Sequence, residues 1–187
     1  MKSTNANSTL SLTGRIDRKT YTDSTINDID SWDSLTKSEK LDTVRELSPD
    51  DSETVYNVTT DRLHQYFVDN LDPENTSTES NLSVEYLALG TDAGSGTTTA
   101  DTDLNNRVYS ETITDAADNG KDLLASTFID STEGNGETFD ELGLFTGDPQ
   151  NLSQDGVFLM NHATFSPVQK DNTKTVVFDV TLTFSDV

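Results

Sequence analysis

Cysteine is absent from the 187 residues, which excludes disulfides and thiolate metal sites as supports for the fold. Long apolar runs are missing too. Nothing approaches the ~18 consecutive apolar residues of a membrane span, and the opening MKSTNANSTLSL lacks the apolar centre of a signal peptide. A soluble chain made in the cytoplasm is expected. Positive charge is scarce: 12 Lys and Arg stand against 34 Asp and Glu, for a net charge of −22. DNA, RNA and anionic membrane would repel such a chain, so neither nucleic acid nor membrane is expected as a partner.

What remains is acidic, rich in Ser, Thr and Asn, and only 32% hydrophobic. Such a composition suits a disordered chain. It also suits a folded protein of a salt-saturated cytoplasm, where a Debye length of about 3 Å at molar salt removes most self-repulsion. The apolar residues are patterned, which favours the folded reading. At this length one domain with its own core is expected.

Leu10, Leu12 and Ile16 alternate with polar neighbours in a short strand or extended arm. Thr36 and Glu39 then have capping-box spacing, and Leu41, Val44 and Leu47 follow at helical intervals until Pro49. Trp32 and Leu35 are placed to staple this helix to a neighbour. A polar break at 50–53 marks the candidate boundary, giving an N-terminal arm with a short helix at 1–57 and a β-rich module at 58–187. Deletion of the arm is expected to leave the module folded. A second helix from Thr59 or Thr60 puts Leu63, Tyr66, Phe67 and Leu71 on one face and ends at Asp72 and Pro73.

Five strands are expected beyond it, at 84–89, 108–114, 123–129, 157–165 and 175–184, with an Asn119-Gly120 turn before the third. In the last, Val176, Phe178, Val180, Leu182 and Phe184 alternate with mostly polar residues, so one face is buried. The expected class is mainly β with α: an antiparallel β-sandwich, one or two N-terminal helices and an extended arm. No solenoid or propeller period is present.

Asp101, Asp103 and Asn105 match the first ligands of an EF-hand loop, yet Asn106 replaces its glycine and Thr112 its glutamate, so no metal site is expected. The Gly94-Ser95-Gly96 and Gly134-Asn135-Gly136 pairs do not extend to G-x-G-x-x-G and read as turns. Glu141 reads as a loop support; as a catalytic acid it would need a second carboxylate about 5–9 Å away across a cleft. His64 falls on the polar side of its helix, and His162 shares strand parity with Phe158 and Met160; both read as packing or hydrogen-bonding residues. No G-x-S-x-G elbow occurs. No catalytic residues and no cofactor are expected, and the chain is read as no enzyme. The candidate assembly interface comprises the basic cluster Arg15, Arg18 and Lys19, together with Trp32 and Thr181 on the outward side of the last strand.

Four phrases in order, LALGTD (87–92), TDLNNRVYS (102–110), FDELGLFTGD (139–148) and ATFSPVQK (163–170) before a last strand, resemble the N-terminal module of phage tail-collar fibre proteins. The resemblance covers roughly 58–187. It implies a virion protein near the tail fibre or baseplate, a homotrimer, with baseplate, tail or capsid subunits as partners. Together with the acidic composition it gives a structural protein of a haloarchaeal tailed virus. With no shaft after Val187, an adaptor is expected in place of a complete fibre. The alternatives are a head-surface decoration protein, or a short host-attachment protein that binds surface glycan through Trp32, Tyr56 or loop aromatics.

Overall fold

The computed structural model describes residues 10–27, 29, 31–71 and 82–186. Among them are nine strands: β1 (Leu10–Thr22), β2 (Asp51–Thr59), β3 (Tyr86–Gly90), β4 (Arg107–Thr112), β5 (Asp115–Asn119), β6 (Asp122–Ile129), β7 (Thr138–Phe145), β8 (Leu159–Gln169) and β9 (Lys174–Asp186). They form a single sheet in the order β4-β3-β7-β8-β2-β1-β9-β6-β5, with antiparallel pairing throughout. Helices α1 (Asp23–Ile26), α2 (Lys37–Arg45) and α3 (Asp61–Leu71) complete the set.

The expected β-sandwich is corrected to one curled sheet, a half-barrel. Alternation in β9 does bury one face, but its cover is the far half of the same sheet. Phe178 of β9 meets Phe165 of β8 at 5.5 Å between ring centroids, and Ile16, Val180 and Leu182 share a cluster with Leu89, Leu142 and Leu144. Register shifts at Leu89/Gly90, Phe139/Glu141 and Leu144/Phe145 insert bulges, which bend strands and supply the curl. The edge strands β4 and β5 are joined by only two residues: Ile113 N–H donates to the Glu85 carbonyl and Thr114 N–H to that of Ser126. A chain can step from one edge to the other so briefly only because the sheet curls.

The boundary expected between Asn57 and Val58 falls inside β2, and residues 10–57 supply two inner strands where an arm was expected. β1 lies between β2 and β9, pairing with β9 from Leu10↔Asp186 to Thr22↔Lys174. The capping box at Thr36 and Glu39 is present, with Thr36 N–H donating to Glu39 Oε2 and Glu39 N–H to Thr36 Oγ1. It starts α2, whose Leu41 and Val44 bury against Tyr21, Phe128 and Val177 on the outer face of the sheet. At the start of α3, Leu63 N–H donates to Thr60 Oγ1. Leu63 and Tyr66 are buried and Phe67 meets Phe184 edge-on, so α3 closes one end of the inner core. The Leu71 side chain and the stop at Asp72 and Pro73 lie outside the described residues. No helix among the described residues is long and apolar enough to cross a membrane.

Candidate functional site

Strands β3, β7 and β8 turn two faces to protein. Leu142 and Leu144 point into the core, while Glu141, Gly143 and Phe145 point outward beneath the β3–β4 connection, residues 91–106. This connection is pinned by one buried carboxylate. Glu141 Oε1 accepts from Asn106 N–H at 2.8 Å, and Oε2 accepts from Asn105 N–H at 3.0 Å and faces His162 Nε2 at 2.9 Å. A connection lying on a sheet must satisfy its own peptide groups, and Glu141 satisfies two of them. The expected loop support is what Glu141 provides.

The other nitrogen of His162, Nδ1, lies 2.6 Å from Asp101 Oδ2. Each ring nitrogen of His162 thus faces a carboxylate. Burial pushes the Asp101 carboxyl up, and hydrogen bonds from the Thr98 amide, the Thr98 hydroxyl and His162 outweigh it, leaving Asp101 below the usual aspartate range. Two glycines make room. A Cβ on Gly90 would stand 2.2 Å from Glu141 Oε1, and one on Gly143 would stand 2.5 Å from Leu159 Cδ1 and 3.0 Å from both the Asn161 carbonyl and Leu104 Cδ2. Glu141 and His162 are fully buried. Neither reaches a surface on which a substrate could lie.

Asp101, Asp103 and Asn105 do not converge. Asp101 turns to Thr98 and His162, Asp103 accepts from Arg107, and the Asn105 amide donates to the carbonyls of Asp92 and Gly96. No group of three His, Asp or Glu among the described residues is arranged to hold a metal ion.

The candidate interface residues separate. Arg15, Lys19 and Thr181 share the outer face of the inner strands, with Arg15 directly opposite Thr181. Arg18 has the opposite parity. It is buried within the curl, where its guanidinium donates to Asp51 at 2.8 Å and to Thr20 at 3.0 Å. Trp32 is half-buried beside Phe128, with the Lys40 ammonium 5.1 Å from its ring centroid. His64 is exposed, as expected, beside the Thr59 hydroxyl.

Lys170, to which the sequence assigned no role, is fully buried. Its ammonium donates to Asn135 Oδ1 at 3.0 Å and the Asp171 carbonyl at 3.1 Å, tying residues 130–137 to the β8–β9 turn. Burial pushes its pKa down to about 8 against the pull of Asp130 and Asp171. Its one signal in the sequence was its place at the end of ATFSPVQK. No family model, curated protein or solved structure matches this chain.

Proposed function

We propose that the chain is a structural virion protein of a tailed virus of a hypersaline host, an adaptor near the tail fibre or baseplate that assembles as a homo-oligomer. One observation carries the reading. The phrases on which the resemblance rests lie far apart in sequence and meet around Glu141: Gly90 from LALGTD packs on its side chain, Asn105 and Asn106 from TDLNNRVYS donate to it, and Gly143 from FDELGLFTGD lies opposite Ala88. Their order therefore has a physical use as one interlocked unit, which favours a module over chance likeness in an Asn- and Thr-rich chain.

The test is the presence of the chain in gradient-purified particles, with antibody labelling at the tail. Its absence from particles overturns the proposal, and labelling confined to the head replaces the tail placement with decoration. The saline host has its own test. The Debye length falls from about 10 Å at 0.1 M salt to about 3 Å at 1 M, so the thermal midpoint should climb with KCl. A midpoint that stays level from tenth-molar to molar salt removes the hypersaline part.

A further inference from the structure

The outer face of β2, β1, β9, β6 and β5 is covered by α2 only at the end where Tyr21, Phe128 and Val177 lie. No other described element covers the rest, and one cross-strand row on it stands out. Register pairs place Tyr56, Arg15, Thr181, Leu124 and Ala117 side by side across the five strands. Tyr56 is 77% exposed and Leu124 36%, two of the four large apolar side chains exposed among the described residues. An exposed ring and an exposed leucine in one row mark a contact surface, since tyrosine is enriched at interfaces and hot spots.

Charge narrows the partner. The next row runs Thr54, Asp17, Asp179, Ser126 and Asp115, and each of its carboxylates already has a cation: Arg15 on Asp17 at 2.9 Å, Lys19 on Asp179 at 2.8 Å and Arg45 on Asp115 at 3.1 Å. In these two rows three cations meet three carboxylates, while Asp122 in the row beyond Leu124 accepts from the Thr183 hydroxyl; the whole chain has 12 basic against 34 acidic residues. Molar salt screens repulsion down to about 3 Å and so leaves it standing at contact. A strongly acidic partner can therefore dock where charge is balanced. A second copy of this chain, itself at −22, is such a partner.

Shape agrees with charge. The Tyr56 ring projects at one end of the row. From Thr181 and Asp179 on the middle strand to Leu124 and Ala117 at the other end runs a groove of about 400 Å³, with Arg45 among its lining residues. The strand carrying Thr181 is the middle one of the five, so Tyr56 and Ala117, at the far end of the groove, each lie two strand spacings, about 10 Å, from it. We infer that two copies pack this face against itself about a two-fold axis near Thr181, each Tyr56 ring entering the groove of the other copy beneath the Arg45 guanidinium. Self-complementarity of one patch is what an isologous contact requires, and a guanidinium over a tyrosine ring is a favourable pairing. The Arg15 stem then lies over the second copy's Leu124. The inference rests on the self-assembly proposed above but takes a two-fold pair in place of the homotrimer that the resemblance implies; purified protein tests it without particles, so either reading can fail alone.

Sedimentation of the full chain in molar KCl should give a dimer. Tyr56→Ser, which removes the knob, and Ala117→Trp, which fills the hollow, should each weaken association roughly tenfold or more, about 1.4 kcal/mol, with the thermal midpoint of the dilute protein unchanged. Val68→Ser, at an exposed site on α3 away from this face, should leave association intact. Because the chain has no cysteine, Thr181→Cys provides a single thiol near the axis, which a short bis-maleimide should bridge between copies, while Val68→Cys should stay unbridged. A monomeric wild type overturns the inference. So does association that survives both face variants, or an oligomer in which Thr181→Cys is not bridged.

Discussion

On the half of the sheet built from β3, β7 and β8, the outer face is roofed by residues 91–106 of the same chain; on the half built from β2, β1, β9, β6 and β5 the described residues roof it only where α2 lies. The roofed half holds a buried carboxylate, a buried imidazole and two glycines with no room for a methyl group. The open half pairs Asp17, Asp179 and Asp115 with cations at 2.8–3.1 Å, and where solvent reaches such a pair it contributes about 1 kcal/mol or less. A roof of irregular chain needs fixed polar anchors for its peptide groups, and those anchors make the face beneath it intolerant of change. An open strand face has its backbone satisfied by the ladder already, and its side chains are released to serve contacts outside the chain.

The largest expected effect tests whether the halves can be parted at all. Residues 58–187 alone lack β1 and most of β2, keeping only the Val58 and Thr59 pairing with β8, so β9 loses its β1 neighbour and the two halves of the sheet are no longer joined. This fragment should show no cooperative unfolding transition by circular dichroism. A cooperative transition would mean that the roofed half is a domain by itself. Next, Val180→Asp places a carboxylate in the shared core and should cost about 4 kcal/mol or more in denaturant unfolding, while Thr181→Asp, one residue along and facing outward, should stay within about 0.5 kcal/mol in the monomer. Equal costs would erase the distinction between the two faces of β9.

A smaller cost tests the roof. Gly90→Ala drives a Cβ into the fixed Glu141 carboxylate, and about 2–3 kcal/mol of stability should be lost through overpacking and a displaced hydrogen bond. Amide exchange at Asn105 and Asn106 should quicken. Unchanged exchange would show that Glu141 is not their anchor.

The smallest effect is a slope with pH. The Lys170 pKa is about 8 in the fold against an ordinary 10.5, so between these values the unfolded chain binds more protons and stability should rise with pH. Below about pH 8 the penalty is fully present and this contribution is flat. Toward pH 10 and beyond, Tyr21 and Tyr109 oppose the rise, because burial lifts both phenols above the ordinary range and the unfolded chain then loses protons first. Lys170→Met should abolish the rise between pH 8 and 10 in denaturant unfolding. A slope that persists in the variant would assign it to another group.

Much of this architecture was legible where a side-chain pattern reports directly on burial. The alternation of β9, the capping box of α2 and the apolar stripe of α3 each stand in the sequence because one side of the element faces core and the other does not. β2 was missed for a physical reason. Its inward positions include Asp51 and Glu53, which meet the buried Arg18 guanidinium, so the strand reads as a polar break. β7 was missed for the opposite reason: it is covered on both faces, and Glu141, Leu142, Gly143, Leu144 and Phe145 show no period of two. Alternation also says that a face is covered without saying by what, which is how one curled sheet came to be read as two. Of the site, Glu141 was legible as a loop support. The parity that sets Arg18 apart from Arg15 and Lys19 follows once β1 is taken as a strand, and grouping them by sequence proximity concealed it. His162 was legible as a hydrogen-bonding residue, but its pairing with Asp101 spans 61 residues and leaves no local trace.

The pairing of β1 with β9 also sets an order of events during synthesis. Among the described strands β1 emerges from the ribosome first, yet one of its two neighbours, β9, emerges last. Until β9 arrives, Ile16 has no Val180 beside it, and that margin of β1 is an unpaired edge open to wrong partners. Contacts so distant in sequence make for slow folding. Charge acts in that interval: repulsion between nascent acidic copies persists at contact distance even where salt screens it further out, and opposes edge-to-edge pairing while the early strands wait for the late one.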